Sequence, residues 1–361
     1  MKARAAVLTQ FGKPMEHREF QLVDPCPGEI VVKMDMAGVC GSDPHIWRGH
    51  HPMSWGALPL ILGHENVGRV YATRRTGKGA PKEGDRIMWQ RSITCGGCHY
   101  CLVARKPWLC QERTVYGINY SSSVSPHLRG GYSEFVYLNP KTPVIALPDS
   151  ADPQRFVAAG CSADTALHAV QVAGLGLSED VVVLGCGSVG LCTIAYVSAT
   201  GARSIVAIDL NEGRLDMALT FGATATLNAS HTTPEERQEH VYARTEGLGA
   251  SVVFECSGST GAAAEGFKLA RKGARYVMPG FGHDGGTDFT VSGWYDITSK
   301  EIELRGCFAG DFRHLVEAID FIDRSDWPFE CLVTHRYTLD MANEALACVE
   351  QRRAIKAAIV Y

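Results

Sequence analysis

The chain has 361 residues, of which 45% are hydrophobic and 20% charged, a composition that is ordinary for a globular protein and excludes a disordered or coiled-coil chain. Its 35 Lys and Arg residues against 39 Asp and Glu residues give a formal charge of -4 with no long run of one sign, so no nucleic-acid partner is expected. Thirteen cysteines are an odd number, and no secretory signal is recognised near the start, so we expect reduced thiols in the cytoplasm.

Two domains are expected, because a chain of this length exceeds the size at which one hydrophobic core keeps growing. The first 150 residues contain short apolar runs, such as 30–34 and 61–70, among frequent Gly and Pro residues, which predicts a β-rich domain. From about residue 163, apolar strands alternate with helical segments, and this alternation predicts an α/β domain with a parallel, doubly wound sheet. The predicted strands are 181–185, 204–209, 224–228, 251–255, 275–278 and 302–306, and the helices between them include 212–221, 235–245 and 261–271.

Residues 181–202 carry no charge over 22 residues, which is about the length of a membrane span. Gly185, Gly187, Gly190 and Gly201 interrupt this segment. The first three belong to a phosphate-binding turn, so we predict no membrane helix here.

The turn Gly185-Cys186-Gly187-Ser188-Val189-Gly190 is a G-x-G-x-x-G motif between an apolar strand and a helical segment. Glycines at these positions permit the tight turn and the close approach of a pyrophosphate to the helix N-terminus. Asp209 ends the next strand and is placed to accept hydrogen bonds from an adenosine ribose, which favours NAD over NADP. The alternative is a plain strand-to-helix turn with Asp209 as a helix cap, but all the features of a dinucleotide site occur in register.

Four cysteines occur within sixteen residues, in a lobe at about 92–112; they are Cys95, Cys98, Cys101 and Cys110. A single loop with four thiolates can wrap a tetrahedral zinc ion and leave no open position, so this site is predicted to be structural. The alternatives are unrelated buried thiols or an iron–sulfur site, and the surroundings show nothing else of a ferredoxin pattern.

A second set of metal-ligand residues is dispersed along the chain and consists of Cys40, His64, Glu65 and Cys161. Two thiolates and one imidazole leave a fourth zinc position open for water or substrate, which is the arrangement of a reactive site. The residues alone leave other interpretations open: buried thiols, a core histidine and a surface carboxylate. Separations of 24 and 97 residues do not establish that the side chains meet.

The whole chain resembles the zinc-containing medium-chain dehydrogenase/reductase family. The resemblance is carried by GVCGSDPH at 38–45, GHE at 63–65, the four-cysteine lobe and the glycine turn. It implies a GroES-like catalytic domain of residues 1–162 and 308–361 and a Rossmann NAD-binding domain of residues 163–307.

The resemblance also implies roles for particular residues. Cys40, His64 and Cys161 are the expected ligands of a catalytic zinc, and Glu65 is an alternate ligand or lies just behind the ion. Cys161 as third ligand resembles the alcohol dehydrogenase branch, whereas the polyol branch commonly has a glutamate there. Arg214 resembles the family's basic contact to the adenosine ribose.

Three features depart from the family pattern. Eight residues separate Cys101 from Cys110, one more than usual, so the loop is expected to bulge and still close. Gly41 stands where some relatives carry a phosphate-binding arginine, which shifts the expected phosphate contact to Lys356. The loop 47–60 is unusually aromatic and contains His50 and His51; either histidine could displace a metal ligand, but we expect both to be exposed loop residues.

The resemblance predicts a zinc-assisted oxidation of an alcohol with a proton relay. The relay is predicted to run from the substrate to Ser42, through a nicotinamide ribose hydroxyl, to His45, because a histidine titrates near neutral pH. Asp43 is expected to accept a hydrogen bond from the ring nitrogen of His64 that does not face the metal. Residues expected against the nicotinamide are Thr165, Val189 and Gly280. Helix capping is the alternative role for Ser42 and Thr165.

The predicted reaction is the NAD-linked oxidation of a bulky, largely apolar secondary alcohol, because Trp47, Trp55 and Trp89 lie in segments expected to line the pocket. Within the family, the chain resembles a bacterial subgroup that includes hydroxycamphor-type dehydrogenases. The alternatives are a polyol or threonine dehydrogenase, and a non-catalytic protein that binds NAD and zinc. The family resemblance implies a homodimer or homotetramer, with contacts near IELRGCFAG at 302–310.

Overall fold

A computed structural model describes residues 1–279 and 288–361 of the protein. Within these residues the chain forms two compact units: unit 1 comprises Met1–Cys161 with Gly310–Tyr361, and unit 2 comprises Ser162–Ala309. Gly280, predicted to lie at the nicotinamide, falls outside the described residues. No helix in the described part is long and apolar enough to cross a membrane.

Eighteen strands and ten α-helices lie in the described residues. The strands are β1 (Lys2–Leu8), β2 (Glu16–Gln21), β3 (Ile30–Val39), β4 (Leu60–Ile61), β5 (Glu65–Thr73), β6 (Arg86–Trp89), β7 (Ser92–Ile93), β8 (Thr114–Val115), β9 (Phe135–Leu138), β10 (Val144–Ala146), β11 (Asp180–Leu184), β12 (Ser204–Asp209), β13 (Ala225–Asn228), β14 (Ala250–Glu255), β15 (Ala270–Met278), β16 (Glu303–Gly306), β17 (Val333–Tyr337) and β18 (Lys356–Val360). The helices are α1 (Ser42–Arg48), α2 (His99–Leu102), α3 (Pro153–Phe156), α4 (Ser162–Ala173), α5 (Ser188–Ala199), α6 (Glu212–Thr220), α7 (Pro234–Arg244), α8 (Thr260–Leu269), α9 (Phe312–Arg324) and α10 (Ala342–Glu350).

Unit 1 is built mainly of antiparallel sheets. Its largest sheet has the order β10-β6-β5-β3-β18-β17, with β9 also paired to β3. The pairing of β18 with β3 joins the end of the chain to its first quarter, with Ala357 opposite Val39. A second sheet has the order β2-β1-β4, and β7 and β8 form a short ribbon. The side chains between these sheets form one hydrophobic core that includes Trp89 and Tyr132.

Unit 2 confirms the predicted doubly wound sheet. Its six strands have the order β13-β12-β11-β14-β15-β16, and every pair is parallel. The charge-free segment 181–202 is β11, the glycine turn and α5. All five residues of β11 are buried, which explains a continuous apolar run in place of the alternation of a half-exposed strand.

The predicted apolar run 61–70 is two strands. β4 ends at Ile61 and β5 begins at Glu65. Gly63 lies between them with a φ of +91°, in the left-handed region that favours glycine. This turn places His64 directly before β5 and Glu65 at the first residue of β5.

Candidate metal and coenzyme sites

Four dispersed side chains converge in unit 1. The metal-binding atoms of Cys40, His64, Glu65 and Cys161 all lie within 4.8 Å of one another. Cys40 follows β3 and His64 precedes β5, and these strands pair with Gly38 opposite Glu65. A side chain at Gly38 would place its Cβ 2.3 Å from Glu65 Oε2, so glycine makes room for the carboxylate. We call this set the first metal cluster.

The spacing of its donor atoms fits a tetrahedral ion. The Sγ atoms of Cys40 and Cys161 are 3.8 Å apart. Two thiolates at zinc–sulfur bonds of about 2.3 Å and a tetrahedral angle are about 3.8 Å apart. The orientation of His64 is a second indication of a metal site, because His64 Nδ1 and Asp43 Oδ1 face each other at 3.4 Å. Neither atom has a hydrogen-bond partner among the described residues, and the contact leaves Nε2 for a metal.

The pKa shifts in the first metal cluster favour one thiolate, Cys40, and two protonated donors, Cys161 and His64. A hydrogen bond from the Cys161 thiol lowers the pKa of Cys40 well below its usual range, and the same bond raises the pKa of Cys161. Burial alone would lower the pKa of His64, but the charges of Asp43 and Cys40 outweigh it and raise that pKa to about 10. A zinc ion binds thiolates and neutral imidazole, so it would displace the protons of Cys161 and His64.

Glu65 is shared between the first metal cluster and Lys356. The Lys356 ammonium donates to Glu65 Oε2, and the two side chains are 2% and 0% exposed. Burial raises the pKa of Glu65 to about 7, and the charge of Lys356 opposes this shift. The prediction of Lys356 as a phosphate contact is therefore corrected, because β18 lies beside β3 and buries the ammonium against the carboxylate.

The four-cysteine lobe forms a second metal cluster, and the Sγ atoms of its members also lie within 4.8 Å of one another. Cys95 Sγ is 3.6 Å from Cys110 Sγ and 4.0 Å from Cys101 Sγ, and Cys98 Sγ is 3.6 Å from Cys101 Sγ. These separations bracket the edge of a zinc–thiolate tetrahedron, about 3.8 Å. The eight-residue spacing before Cys110 therefore lets the loop close, as the sequence predicted.

The glycine turn of unit 2 has the geometry of a phosphate-binding loop. Gly185 has a φ of +88°, and a Cβ at Gly190 would lie 1.8 Å from the Gly185 carbonyl oxygen. Gly187 is the N-cap residue of α5 and adds no side chain there, and a Cβ at this position would meet no atom within 4 Å among the described residues. Asp209 ends β12 and accepts hydrogen bonds from the backbone N–H groups of Cys186, at 2.7 Å, and Asn211, at 3.0 Å.

Comparison with known proteins agrees with this geometry. Residues 26–149 match the family model for the alcohol dehydrogenase GroES-like domain, and residues 188–324 match that for zinc-binding dehydrogenase. The chain is 35% identical to 5-exo-hydroxycamphor dehydrogenase of Pseudomonas putida, over 99% of this chain and 98% of that protein. It belongs to the zinc-containing alcohol dehydrogenase family. The protein is thus an oxidoreductase that acts on alcohols, and its predicted GroES-like and Rossmann fold classes are confirmed.

Solved structures lead to the same family. An alcohol dehydrogenase of Thermotoga maritima superposes with a TM-score of 0.94 at 35% identity, covering 100% of this chain and 99% of that one. A zinc-binding dehydrogenase of Sinorhizobium meliloti, bound to NADP, has a TM-score of 0.86 at 26% identity and covers 100% of both chains. Among relatives by sequence, an erythritol/L-threitol dehydrogenase of Mycolicibacterium smegmatis is 28% identical over 92% of this chain and 91% of its own length.

The predicted relay residues of this dehydrogenase lie on α1. Ser42 is the first residue of α1, while Gly41 is the N-cap and makes no side-chain cap, so the capping alternative for Ser42 is excluded. Ser42 Oγ is 3.5 Å from His64 Nε2. His45 is 6% exposed, and its ring centroid lies 6.5 Å from that of the exposed His50.

Three further predicted residues lie in unit 2. Thr165 lies in α4, where its hydroxyl donates to Asp164 Oδ1 at 3.3 Å. Val189 is the second residue of α5, and Arg214 lies in the first turn of α6, where its N–H donates to Asn211. The structure therefore assembles Val189 with the glycine turn and places Arg214 beyond the strand that ends in Asp209.

The tryptophans do not support the predicted apolar pocket. Trp89 is 3% exposed in the core of unit 1, and Trp55 is 64% exposed. Trp47 donates its indole N–H to the carbonyl of Lys13. Trp89 shares with Ile87 the face of β6 that packs into the core. Trp55 donates its indole N–H to the carbonyl of Gly49, which holds the ring at the surface.

Sequence reasoning missed one residue near the first metal cluster, Tyr132, and assigned the wrong exposure to another, His51. Tyr132 donates to Asp43 from 89 positions away, and no local motif marks it. His51 is half-buried, and burial and the charge of His64 lower its pKa. The expectation that His51 is an exposed loop residue is therefore wrong, because the loop after α1 folds back toward the cluster.

Proposed function

We propose that this dehydrogenase oxidises a secondary alcohol to a ketone with transfer of hydride to NAD. Cys40, His64 and Cys161 are proposed to hold the catalytic zinc, with Glu65 as a conditional ligand. The observation that carries the proposal is the convergence of these four donors within 4.8 Å. Zinc at such a site supplies Lewis acidity, which lowers the pKa of an alcohol and favours loss of its hydroxyl proton.

Two residues of α1, Ser42 and His45, are proposed to carry that proton away from the alcohol. The Ser42 hydroxyl lies 3.5 Å from His64 Nε2, which is the ring nitrogen proposed to face the metal, so it is within reach of an alcohol held there. We propose that Ser42 accepts the proton and that His45, one turn further along α1, passes it outward. The exposed His50 beside the His45 ring connects this direction to solvent. Asp43 fixes the tautomer and orientation of His64.

The second metal cluster is proposed to hold a structural zinc. Cys95, Cys98, Cys101 and Cys110 supply all four positions of a tetrahedral ion, so no position remains for a substrate. Each chain is therefore proposed to bind two zinc ions, one catalytic and one structural.

NAD is the proposed coenzyme. The Asp209 carboxylate stands beside the glycine turn and would repel the 2′-phosphate of NADP, while Arg214 and the first amides of α5 would contact the ribose and the pyrophosphate. Thr165, Val189 and Gly280 are proposed to contact the nicotinamide. A solved relative binds NADP, so the preference is tested by measuring kcat/KM with both coenzymes.

A bulky cyclic alcohol is the proposed substrate, and the support is the 35% identity to 5-exo-hydroxycamphor dehydrogenase. The 28% identity to an erythritol/L-threitol dehydrogenase supports a polyol as the alternative. A panel of bicyclic secondary alcohols, erythritol, sorbitol, threonine and primary alcohols decides between them. We expect the highest kcat/KM with a bicyclic alcohol, and preferential turnover of erythritol or threonine would overturn the substrate assignment.

A matched pair of cysteine variants tests the site. Cys40→Ser is expected to abolish turnover and to lower the zinc content from two ions to one. Cys348→Ser makes the same change at a thiol that is 0% exposed elsewhere in unit 1 and is expected to keep both ions. Full activity of Cys40→Ser would refute the assignment of the catalytic metal.

A homodimer or homotetramer in the cytoplasm is also proposed. β16 is an edge strand of the sheet in unit 2, and Leu304 and Phe308 are 50% and 48% exposed there. No disulfide links any of the thirteen cysteines, which suits a reducing compartment. Sedimentation equilibrium of the protein and of Leu304→Asp tests the assembly, and a monomeric parent protein would overturn it.

A further inference from the structure

Tyr132 contacts the carboxylate that faces the metal-binding histidine. Its side chain is 0% exposed, and its hydroxyl donates to Asp43 Oδ2 at 2.9 Å. Burial, and then the charge of Asp43, raise the pKa of Tyr132 well above its usual range, so the phenol stays protonated and acts as a donor.

The two oxygens of Asp43 have different tasks. Oδ2 accepts from the Tyr132 hydroxyl and from the backbone N–H of Cys40, both at 2.9 Å. Oδ1 is left to face His64 Nδ1 at 3.4 Å. Two donors to Oδ2 restrain rotation of the Asp43 carboxylate, and Oδ1 is thereby kept facing the imidazole of His64.

The local backbone makes room for the Tyr132 ring. A Cβ at Gly63 would lie 2.6 Å from Cδ1 of Tyr132, so the residue before His64 must be glycine for the ring to fit. The Tyr132 N–H donates to the carbonyl of Leu62, and Gly131 N–H donates to Gly63. The backbone that carries Tyr132 is thus bonded directly to the turn that carries His64.

We propose that Tyr132 is a positioning residue of the catalytic metal site: it holds Asp43 so that Asp43 Oδ1 keeps facing His64 Nδ1. This inference rests on the proposed role of His64 as a zinc ligand. It acts through Asp43, and Tyr132 itself contacts neither substrate nor metal. Groups that orient a metal-binding histidine commonly change metal affinity about 10- to 100-fold when they are replaced.

The test compares Tyr132→Phe with the parent enzyme, both full-length and zinc-loaded. The variant keeps the ring and removes one oxygen. We expect the catalytic zinc to be lost to a chelator at about 10-fold lower chelator concentration, with the four-cysteine zinc unchanged. Replacement of the catalytic zinc by Co²⁺ gives a second readout, and the visible ligand-field bands are expected to shift because the His64 ring is less well oriented.

Tyr276→Phe is the matched control. Tyr276 is also 0% exposed and donates its hydroxyl to the carbonyl of Ala263 in unit 2, so this variant loses a buried hydrogen bond away from the metal clusters. We expect its zinc retention and cobalt spectrum to equal those of the parent enzyme. An equal loss of zinc in both variants would overturn the proposal, because it would reflect general destabilisation.

Asp43→Asn and the double variant separate positioning from packing. If Tyr132 acts through Asp43, Tyr132→Phe has little further effect on zinc retention in the Asp43→Asn background. Additive effects would refute the inference, as would unchanged zinc retention in Tyr132→Phe. Should Tyr132→Phe not fold, the same loss of zinc in folded Asp43→Asn supports the chain of contacts, and full retention there overturns it.

These readouts do not require alcohol turnover. Weaker zinc retention in Tyr132→Phe with no activity on any alcohol would support the positioning role and refute the proposed reaction. Alcohol oxidation with unchanged zinc retention in Tyr132→Phe would support the proposed reaction and refute the positioning role.

Discussion

Replacing Lys356 by methionine would leave the Glu65 carboxylate in the interior of unit 1 without the ammonium that faces it. The two side chains are 2% and 0% exposed, so water replaces little of the lost interaction. Removing one partner of a buried ion pair costs about 3–5 kcal/mol. We therefore expect Lys356→Met to lower the free energy of unfolding by about 3–5 kcal/mol at pH 8.5.

The loss is expected to depend on pH, with a sign that follows from Glu65. The pKa of Glu65 is about 7 in the folded protein, because burial outweighs the charge of Lys356. The ordinary pKa of a glutamate is 4.5. A raised carboxyl pKa gives stability that is fully present below pH 4.5 and is lost as pH rises through the folded pKa. Without Lys356 the folded pKa rises further, so the variant is penalised more at pH 8.5 than at pH 6.

Urea unfolding followed by tryptophan fluorescence measures this effect in unit 1, which contains both Glu65 and Lys356. Five of the six tryptophans lie in unit 1, and only Trp294 lies in unit 2. Lys2→Met is the control, because the Lys2–Glu19 pair also lies in unit 1 and its side chains are 65% and 55% exposed, so water replaces most of the lost interaction and little change in stability is expected.

The double variant Glu65→Gln/Lys356→Met is expected to recover much of the loss, because the buried charge is then absent. A cost below about 1 kcal/mol for Lys356→Met at pH 8.5 would refute the argument. A loss that is the same at pH 6 and pH 8.5 would show that packing, and not the Glu65 charge, determines the effect.

Three further predictions concern the metal and coenzyme sites. Zinc binding to the first metal cluster, in protein that retains zinc in its four-cysteine lobe, should release two protons near pH 7.5, from Cys161 and His64, since the pKa of each is raised. A pH-indicator titration measures them, and release of none contradicts the donor set. Gly190→Ala should lower the Tm without coenzyme, because its Cβ would meet the Gly185 carbonyl. Gly187→Ala has open space, should keep the Tm, and serves as the control. Asp209→Ala should lower kcat/KM for NAD about 10-fold, equivalent to about 1.4 kcal/mol. An unchanged ratio of NAD to NADP use would contradict its role in coenzyme choice.

The sequence by itself was sufficient to predict the local geometry of two segments. The glycine turn and the four-cysteine lobe are each formed by neighbouring residues, so their spacing reports their geometry. The alternation of strands and helices after residue 163 likewise predicted a parallel sheet, because each crossover helix returns the chain to the same direction.

Only the tertiary structure decided the first metal cluster. Cys40, His64 and Cys161 meet because β3 pairs with β5 and the turn at Val157–Gly160 packs near them, and none of these pairings is encoded in a short motif. The sequence interpretation of these ligands therefore depended on family resemblance.

The same reason explains the error at Lys356 and the omission of Tyr132. β18 lies beside β3, which turns the Lys356 ammonium to Glu65, and Tyr132 reaches Asp43 across 89 residues. Local sequence determines the turns and strands through backbone conformation and hydrophobic period. The partners of a buried charge are determined by which distant strands pair, because a charge removed from water must find its counterion among whatever side chains the fold brings to it.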